Sequence, residues 1–218
     1  MPLYTPRQDP RLDAKSGIFS ASRHPSTNFR RQYERGDLPV VMVHGAVNSL
    51  EFKVPSESID ASYYLPIFLE GIRERTAPYR FVAFEGAVKL VEKASAEHVA
   101  ACLPDLIYPL KFALEANHPP TIILALRALQ TLCSVSKEVG EGLVPFYRQL
   151  LPTLNKFKNR KRNLLDQMDF AQFKHDGRTM GESIEETLTL LERFGGADAF
   201  INIKYIVPTY ESYFGPHA

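Results

Sequence analysis

Hydrophobic residues recur at helical spacing along most of the chain, from about residue 60 onwards. One apolar stripe consists of Phe81, Phe84, Val88 and Val91. A later and wider stripe consists of Ile122, Leu126, Leu129 and Cys133, with Ile123, Leu124 and Leu132 beside it. A helix that is apolar over such a wide arc is typical of one covered by neighbours on both sides. The pattern predicts an all-α fold with this helix near its centre.

Three prolines indicate an internal repeat within the helical part. Pro66, Pro109 and Pro152 follow one another at intervals of 43 residues, and a second apolar helical stretch comes after each. This interval matches the length of HEAT and armadillo units, which are built from paired helices. Chance phasing is the alternative, because the chain has 16 prolines. We predict a HEAT/armadillo-like α-solenoid of two-helix repeats.

The N-terminal part differs from the helical part. Residues 1–28 are polar and rich in proline, which predicts an extended tail, because such a composition gains little from burial. Residues 38–43 and 50–54 are short β-prone runs, and they predict a small β-hairpin beside the helices. We therefore expect one helical domain over residues 29–214.

Several helix ends are marked by local sequence. Ser95 is a candidate N-cap, and Pro119 and Pro120 fit the first turn of a helix. Either of two capping boxes, the one starting at Thr179 or the one starting at Ser183, introduces the last strongly periodic helix, which we expect to stop at Gly195–Gly196. Residues 155–180 are polar, and we interpret them as a basic loop inserted into the third repeat.

Composition narrows the class of protein. The chain has 218 residues, a formal net charge of +1, and only two cysteines, Cys102 and Cys133, both in apolar helical patterns. A disulfide scaffold is therefore not expected, and a reducing compartment is favoured. The N-terminal sequence does not resemble a signal peptide, and no stretch approaches 18 apolar residues. The sequence predicts neither a membrane nor a nucleic-acid partner.

The sequence motifs give little support to an enzymatic function. The apolar run before His44-Gly45 resembles the strand that precedes an oxyanion hole, but no G-x-S-x-G elbow accompanies it. The histidines lack zinc-site spacing, and no phosphate-binding glycine loop occurs. We expect the acidic residues of the last periodic helix to form a solvated face rather than an acid–base pair: Glu182, Glu185, Glu186 and Glu192. No catalytic, cofactor-binding or metal-ligating residue is predicted.

Two basic groups are candidate contacts for an acidic protein partner. The stronger group places five cations and no anion between positions 156 and 162: Lys156, Lys158, Arg160, Lys161 and Arg162. The weaker group lies beside the tail: Arg30, Arg31 and Arg35. Solvated loops that keep a protein soluble carry similar charge runs, and this alternative has equal weight. Phe157 alone is too little aromatic surface to indicate single-stranded nucleic acid.

Four strings resemble the parkin co-regulated gene protein family. They are FRRQYERGDLP at 29–39, YLPIF at 64–68, LVPFYRQLLP at 143–152 and AFINIKYIVPTYES at 199–212. The similarity extends from about Phe29 to Ser212. It implies a helical HEAT or armadillo-type fold, in agreement with the proline spacing.

The resemblance also implies a structural, non-enzymatic role in cilia and flagella. Such a protein would lie inside the axonemal doublet microtubule, at the inner junction, where it joins the A- and B-tubule walls through tubulin and a small β-rich partner protein. The expected location is the cytoskeleton of a cilium or flagellum. The alternative is a soluble cytoplasmic adaptor that binds a chaperone or cargo protein on its solenoid surface.

Overall fold

The computed structural model describes residues 27–45, 48–55, 58–158 and 179–215. Most of the predicted tail and most of the predicted basic loop therefore lie outside the described residues. Within them, the fold is mostly helical with one small hairpin. The elements in chain order are α1 Asn28–Arg35, β1 Val40–Val43, β2 Ser49–Phe52, α2 Ala61–Gly71, α3 Tyr79–Lys93, α4 Ala96–Leu114, α5 Pro119–Cys133, α6 Lys137–Leu143, α7 Tyr147–Leu150, α8 Pro152–Phe157, α9 Met180–Phe194 and α10 Ala199–Ile206.

Side-chain caps define the starts of the main helices. The Ser95 hydroxyl accepts a hydrogen bond from the amide of His98, as predicted, and satisfies one of the free donors at the start of α4. Thr179 forms the capping box of α9 with Glu182, so the first of the two predicted boxes is confirmed. Pro119 and Pro120 occupy the first turn of α5, and α9 ends at Gly195.

The longer helices pack in two layers. In one layer, α2 packs against α4, and α4 packs against α6 and α7. In the other, α3 packs against α5, and α5 packs against α9. The layers are joined because α2 contacts α3 and α4 contacts α5. Gly86 of α3 permits one close approach, since a Cβ there would lie 2.5 Å from the ring of Phe68 in α2.

Helix α5 lies at the centre of the core, as its wide apolar stripe predicts. It contacts α3, α4, α6 and α9, and its apolar side chains from Ile122 to Cys133 are buried. The core continues without interruption from Phe29 in α1 to Tyr210 beyond α10. Burial of apolar surface along the whole array, rather than in separate clusters, stabilises it as one unit.

The three phased prolines occupy related but unequal places. Pro66 lies inside α2 and Pro109 lies inside α4, the two helices that pack side by side in one layer. Pro152 instead begins the short helix α8, where a missing N–H has no cost. The 43-residue spacing therefore marks internal positions of two neighbouring helices, at Pro66 and Pro109, and the start of a helix at Pro152.

The predicted hairpin is confirmed with shorter strands. Strands β1 and β2 pair antiparallel, with Val41 opposite Glu51 and Met42 opposite Leu50. Leu50 is buried against the helices, and the amine of Lys89 in α3 donates to its carbonyl oxygen.

Two predicted boundaries were wrong. Residues 155–157 belong to α8 rather than to a loop, because Leu154 and Phe157 are buried on one side of this helix. Residue 28, assigned to the tail, begins α1, whose N-cap is Thr27. Within the part of the chain that the structure describes, no helix has both the length and the apolar character needed to cross a membrane.

Candidate interaction surfaces

The N-terminal basic group lies on α1, and its three arginines have different environments. The Nε of Arg30 donates to Glu34 at 2.9 Å, and its guanidinium lies 4.5 Å from the ring centre of Tyr79. The hydrogen bond from Arg30, and a second from Tyr79, lower the pKa of the Glu34 carboxyl. Arg31 and Arg35 are exposed one helical turn apart. The two exposed arginines are therefore better placed than Arg30 to meet a partner.

The second basic group is only partly described. Arg160, Lys161 and Arg162 lie outside the described residues, and Lys156 is exposed on α8. Lys158 is 11% exposed and points inward, where its amine donates to the carbonyl of Thr209 at 2.9 Å and lies 3.2 Å from Glu185. Lys158 holds the C-terminal segment in place, so its charge is already engaged within the chain.

The structure places Arg31 and Arg35 at one end of the helical array and Lys156, the exposed described member of the second group, at the other. Helix α1 packs against α2 and α3, which begin the two layers. Helix α8 packs against α7 and α9, which end them. They therefore form two separate cationic surfaces rather than one patch.

The C-terminal segment is anchored by a carboxylate that the sequence predicted to be solvated. Glu192 is 5% exposed, and its two oxygens accept hydrogen bonds from the hydroxyls of Tyr210 and Ser212, each at 2.5 Å. Burial, and then this hydrogen bond, raise the pKa of the Tyr210 phenol. The prediction for Glu192 was wrong because helical periodicity places it on the polar side of α9 but cannot show that a later segment covers that side.

A groove between α2 and α4 was not predicted as a surface. It has a volume of about 290 Å³ and is lined by Asn28, Pro66, Ile67, Glu70, Arg73, Tyr108, Pro109 and Phe112. Two of its aromatic side chains remain largely open, Tyr108 at 62% and Phe112 at 48% exposed. The phased prolines were the available signal, because Pro66 and Pro109 both line this groove.

A smaller cavity of about 160 Å³ adjoins the groove and shares Arg73 and Phe112 with it. At its edge, the buried Glu74 accepts a 2.7 Å hydrogen bond from the Thr27 hydroxyl. The Nε of Arg73 is buried and has no hydrogen-bond partner among the described residues. A buried donor without an acceptor is unfavourable. The Arg73 side chain as a whole is 35% exposed.

Among the described residues, the candidate chemical groups are either exposed with a local partner or buried as free thiols. His44 is exposed on the hairpin, with its Nδ1 3.3 Å from the side-chain oxygen of Asn48. Cys102 and Cys133 are buried free thiols, and burial raises the pKa of Cys133 to about 11. Among the described residues, no three His, Cys, Asp or Glu side chains converge as metal ligands would.

Two comparisons with known proteins point to the same family. The family described as Parkin co-regulated protein matches residues 27–212. The mouse protein named Parkin coregulated gene protein homolog is 43% identical over 198 residues, which cover 90% of this chain and 81% of the mouse protein. The matched region extends from the N-cap of α1 to Ser212, beside the buried carboxylate of Glu192.

Proposed function

The chain belongs to the parkin co-regulated protein family, and on this premise we propose that it is a structural protein of the axonemal doublet microtubule. In this role it bridges the A- and B-tubule walls at the inner junction, through tubulin and a neighbouring β-rich junction protein. The proposal places it in the cytoskeleton of a cilium or flagellum. Family membership is its main support, since this role is the one that the resemblance implies.

The observation that best supports a bridging role is the uninterrupted core. We propose that the two layers form a HEAT/armadillo-like stack of helix pairs, α2 with α3, α4 with α5, and the segment α6–α8 with α9. In such a stack, bending exposes apolar surface between units, so the ends stay at a fixed separation. Leu126→Asp should unfold the whole array, because it buries an unpaired charge in α5, where Leu126 is fully buried.

The two cationic ends are the proposed contacts with acidic surfaces of tubulin. Arg31 and Arg35 present charge at one end, and Lys156 does so at the other. Contacts of this kind weaken as salt rises, because exposed charges are screened over about 10 Å at 0.1 M ionic strength.

Co-sedimentation with microtubules or isolated doublets tests this proposal. Arg31→Gln/Arg35→Gln and Lys156→Gln should each reduce binding, and the loss should shrink at high salt. The matched control is Lys137→Gln/Arg148→Gln, which removes two exposed charges from α6 and α7. Equal binding by all of these variants would contradict the contacts, and absence of binding by the unaltered chain would contradict the function.

The groove between α2 and α4 favours a second candidate, a soluble adaptor that binds a chaperone or cargo protein. Partly exposed aromatic side chains in a concave site are typical of surfaces that bind peptides. Extraction separates the candidates. An adaptor should leave cilia with detergent and mild salt, whereas a doublet component should remain with the axoneme.

A further inference from the structure

Helix α10 carries an apolar stripe on its outer side. Ile201 and Tyr205 lie one turn apart on this helix and are 68% and 79% exposed. Ala199 and Ile203, on the opposite side of the helix, are buried in the core. The outer face of a terminal unit in a helical stack is normally polar, and exposed apolar patches mark interaction surfaces. The stripe therefore indicates a face that another protein covers.

The segment after α10 enlarges this apolar face. The Lys204 amine donates to the carbonyl of Tyr210 at 2.7 Å, and the ring of Tyr210 lies 6.4 Å from that of Phe200. The segment therefore runs back along α10. Tyr213 and Phe214, which follow, are 77% and 53% exposed. We call the four exposed apolar side chains the α10 surface: Ile201, Tyr205, Tyr213 and Phe214.

Charge is distributed unevenly along α10. Asp198 is exposed at the N-terminal end of the helix, and its side chain makes no capping hydrogen bond. Lys156 is exposed near the C-terminal end, because the neighbouring Asn155 donates to the carbonyl of Ile206 at 3.1 Å. An antiparallel partner helix is complementary when it also has its acid at the N-terminal end and a base near the C-terminal end.

A second copy of this chain has that order of charges. When two α10 helices pack antiparallel about a two-fold axis, Ile201 of each copy lies opposite Tyr205 of the other. The same rotation brings Asp198 of each copy toward Lys156 of the other. Both copies then use the same surface, so the contact closes on itself as an isologous pair.

The opposite end of the array does not match the stripe, since it exposes Arg31 and Arg35. A head-to-tail filament is therefore disfavoured relative to a closed pair. An aromatic side chain buries about 150–250 Å², so the exposed fractions of the α10 surface supply on the order of 500 Å² per copy. A stable interface buries about 800 Å² per partner. The pair should therefore be weak, with a dissociation constant in the micromolar range.

We propose that two copies of this chain associate through the α10 surface, with their α10 helices antiparallel. The pair covers Lys156, the proposed tubulin contact at this end of the array. Pairing and that contact therefore exclude each other. Only this consequence rests on the proposed function, because the pairing itself follows from the stripe and its flanking charges.

Sedimentation velocity of the full chain from about 1 to 300 μM tests the proposal without tubulin, so its outcome is separate from that of the doublet role. The unaltered chain should change from monomer to dimer over this range. Ile201→Ser/Tyr205→Ser should raise the dissociation constant about tenfold or more. The matched control, Tyr63→Ser/Tyr108→Ser, replaces side chains that are 54% and 62% exposed on α2 and α4 and should not change it.

Exchanging the two charges tests the antiparallel arrangement. Asp198→Lys should weaken association about threefold or more, because it places a lysine beside Lys156 of the other copy. Asp198→Lys/Lys156→Asp should restore association, since both ion pairs form again with reversed sign. A chain that remains monomeric at the highest concentration would overturn the proposal. Unchanged association of Ile201→Ser/Tyr205→Ser, loss in the control, or no recovery in the exchanged variant would each overturn it as well.

Discussion

The two ends of the helical array carry similar basic sequence signals but use them differently. At the N-terminal end, Arg31 and Arg35 remain exposed on α1. At the C-terminal end, Lys158 and Glu192 are turned inward and hold the segment that follows α10. Whether a charged residue faces a partner or the chain itself depends on whether a later segment brings hydroxyls and carbonyls to it.

Truncating Tyr210, which anchors the C-terminal segment, should have the largest effect on stability. Tyr210→Ala removes a fully buried ring and a hydrogen-bond donor to Glu192, and should lower the free energy of unfolding by about 3–5 kcal/mol. Tyr210→Phe keeps the ring and should cost about 1–2 kcal/mol. Urea denaturation measures both. A cost below about 1 kcal/mol for Tyr210→Ala would show that the segment is not part of the core.

Lys156 in α8 and Lys158, its C-cap residue, give the sharpest contrast in stability between neighbouring side chains. Lys158→Ala loses the hydrogen bond to Thr209 and should cost about 1–2 kcal/mol. The matched control, Lys156→Ala, should stay within about 0.5 kcal/mol, because this side chain is exposed. The same denaturation experiment compares them, and equal costs would contradict the inward role of Lys158.

The arginines of α1 should differ less in their effect on stability. Arg30→Ala loses a partly exposed ion pair with Glu34 and the contact with Tyr79, and should lower the stability slightly, by more than Arg31→Ala does. Arg31→Ala should change stability by less than about 0.5 kcal/mol and instead weaken microtubule binding. A reversed order would place Arg31, not Arg30, in the internal contact.

The pH dependence at α1 should be the smallest effect. Because the folded pKa of Glu34 lies below its unfolded value, its contribution is present above the unfolded pKa and is lost as pH falls through the folded pKa. Thermal midpoints from about pH 5 to pH 3 should therefore fall more for the unaltered chain than for Glu34→Gln. Parallel curves would mean that the carboxyl gains nothing on folding.

Much of the fold could be predicted from local sequence. The caps at Ser95 and Thr179, the hairpin, and the central place of α5 each follow from a short pattern whose physical cause is local. The helix α1 was missed because only one of its residues, Phe29, is buried, so it has no apolar stripe to detect.

The surfaces could be predicted less well. A run of cations indicates charge but not direction, and Lys158 turns inward only because Thr209 lies more than fifty residues later in the sequence. The groove depends on two helices coming side by side, and the equal spacing of Pro66 and Pro109 became informative only once α2 and α4 were seen to pack together. Contacts between distant segments set these features.

Imaging of isolated axonemal doublets by electron cryomicroscopy tests the central claim most directly. The account predicts that the two-layered helical body fits density at the inner junction, with α1 and α8 directed at the walls that it joins. Doublets with no density for this body, from cells in which the chain is recovered entirely in the detergent-soluble fraction, would contradict it.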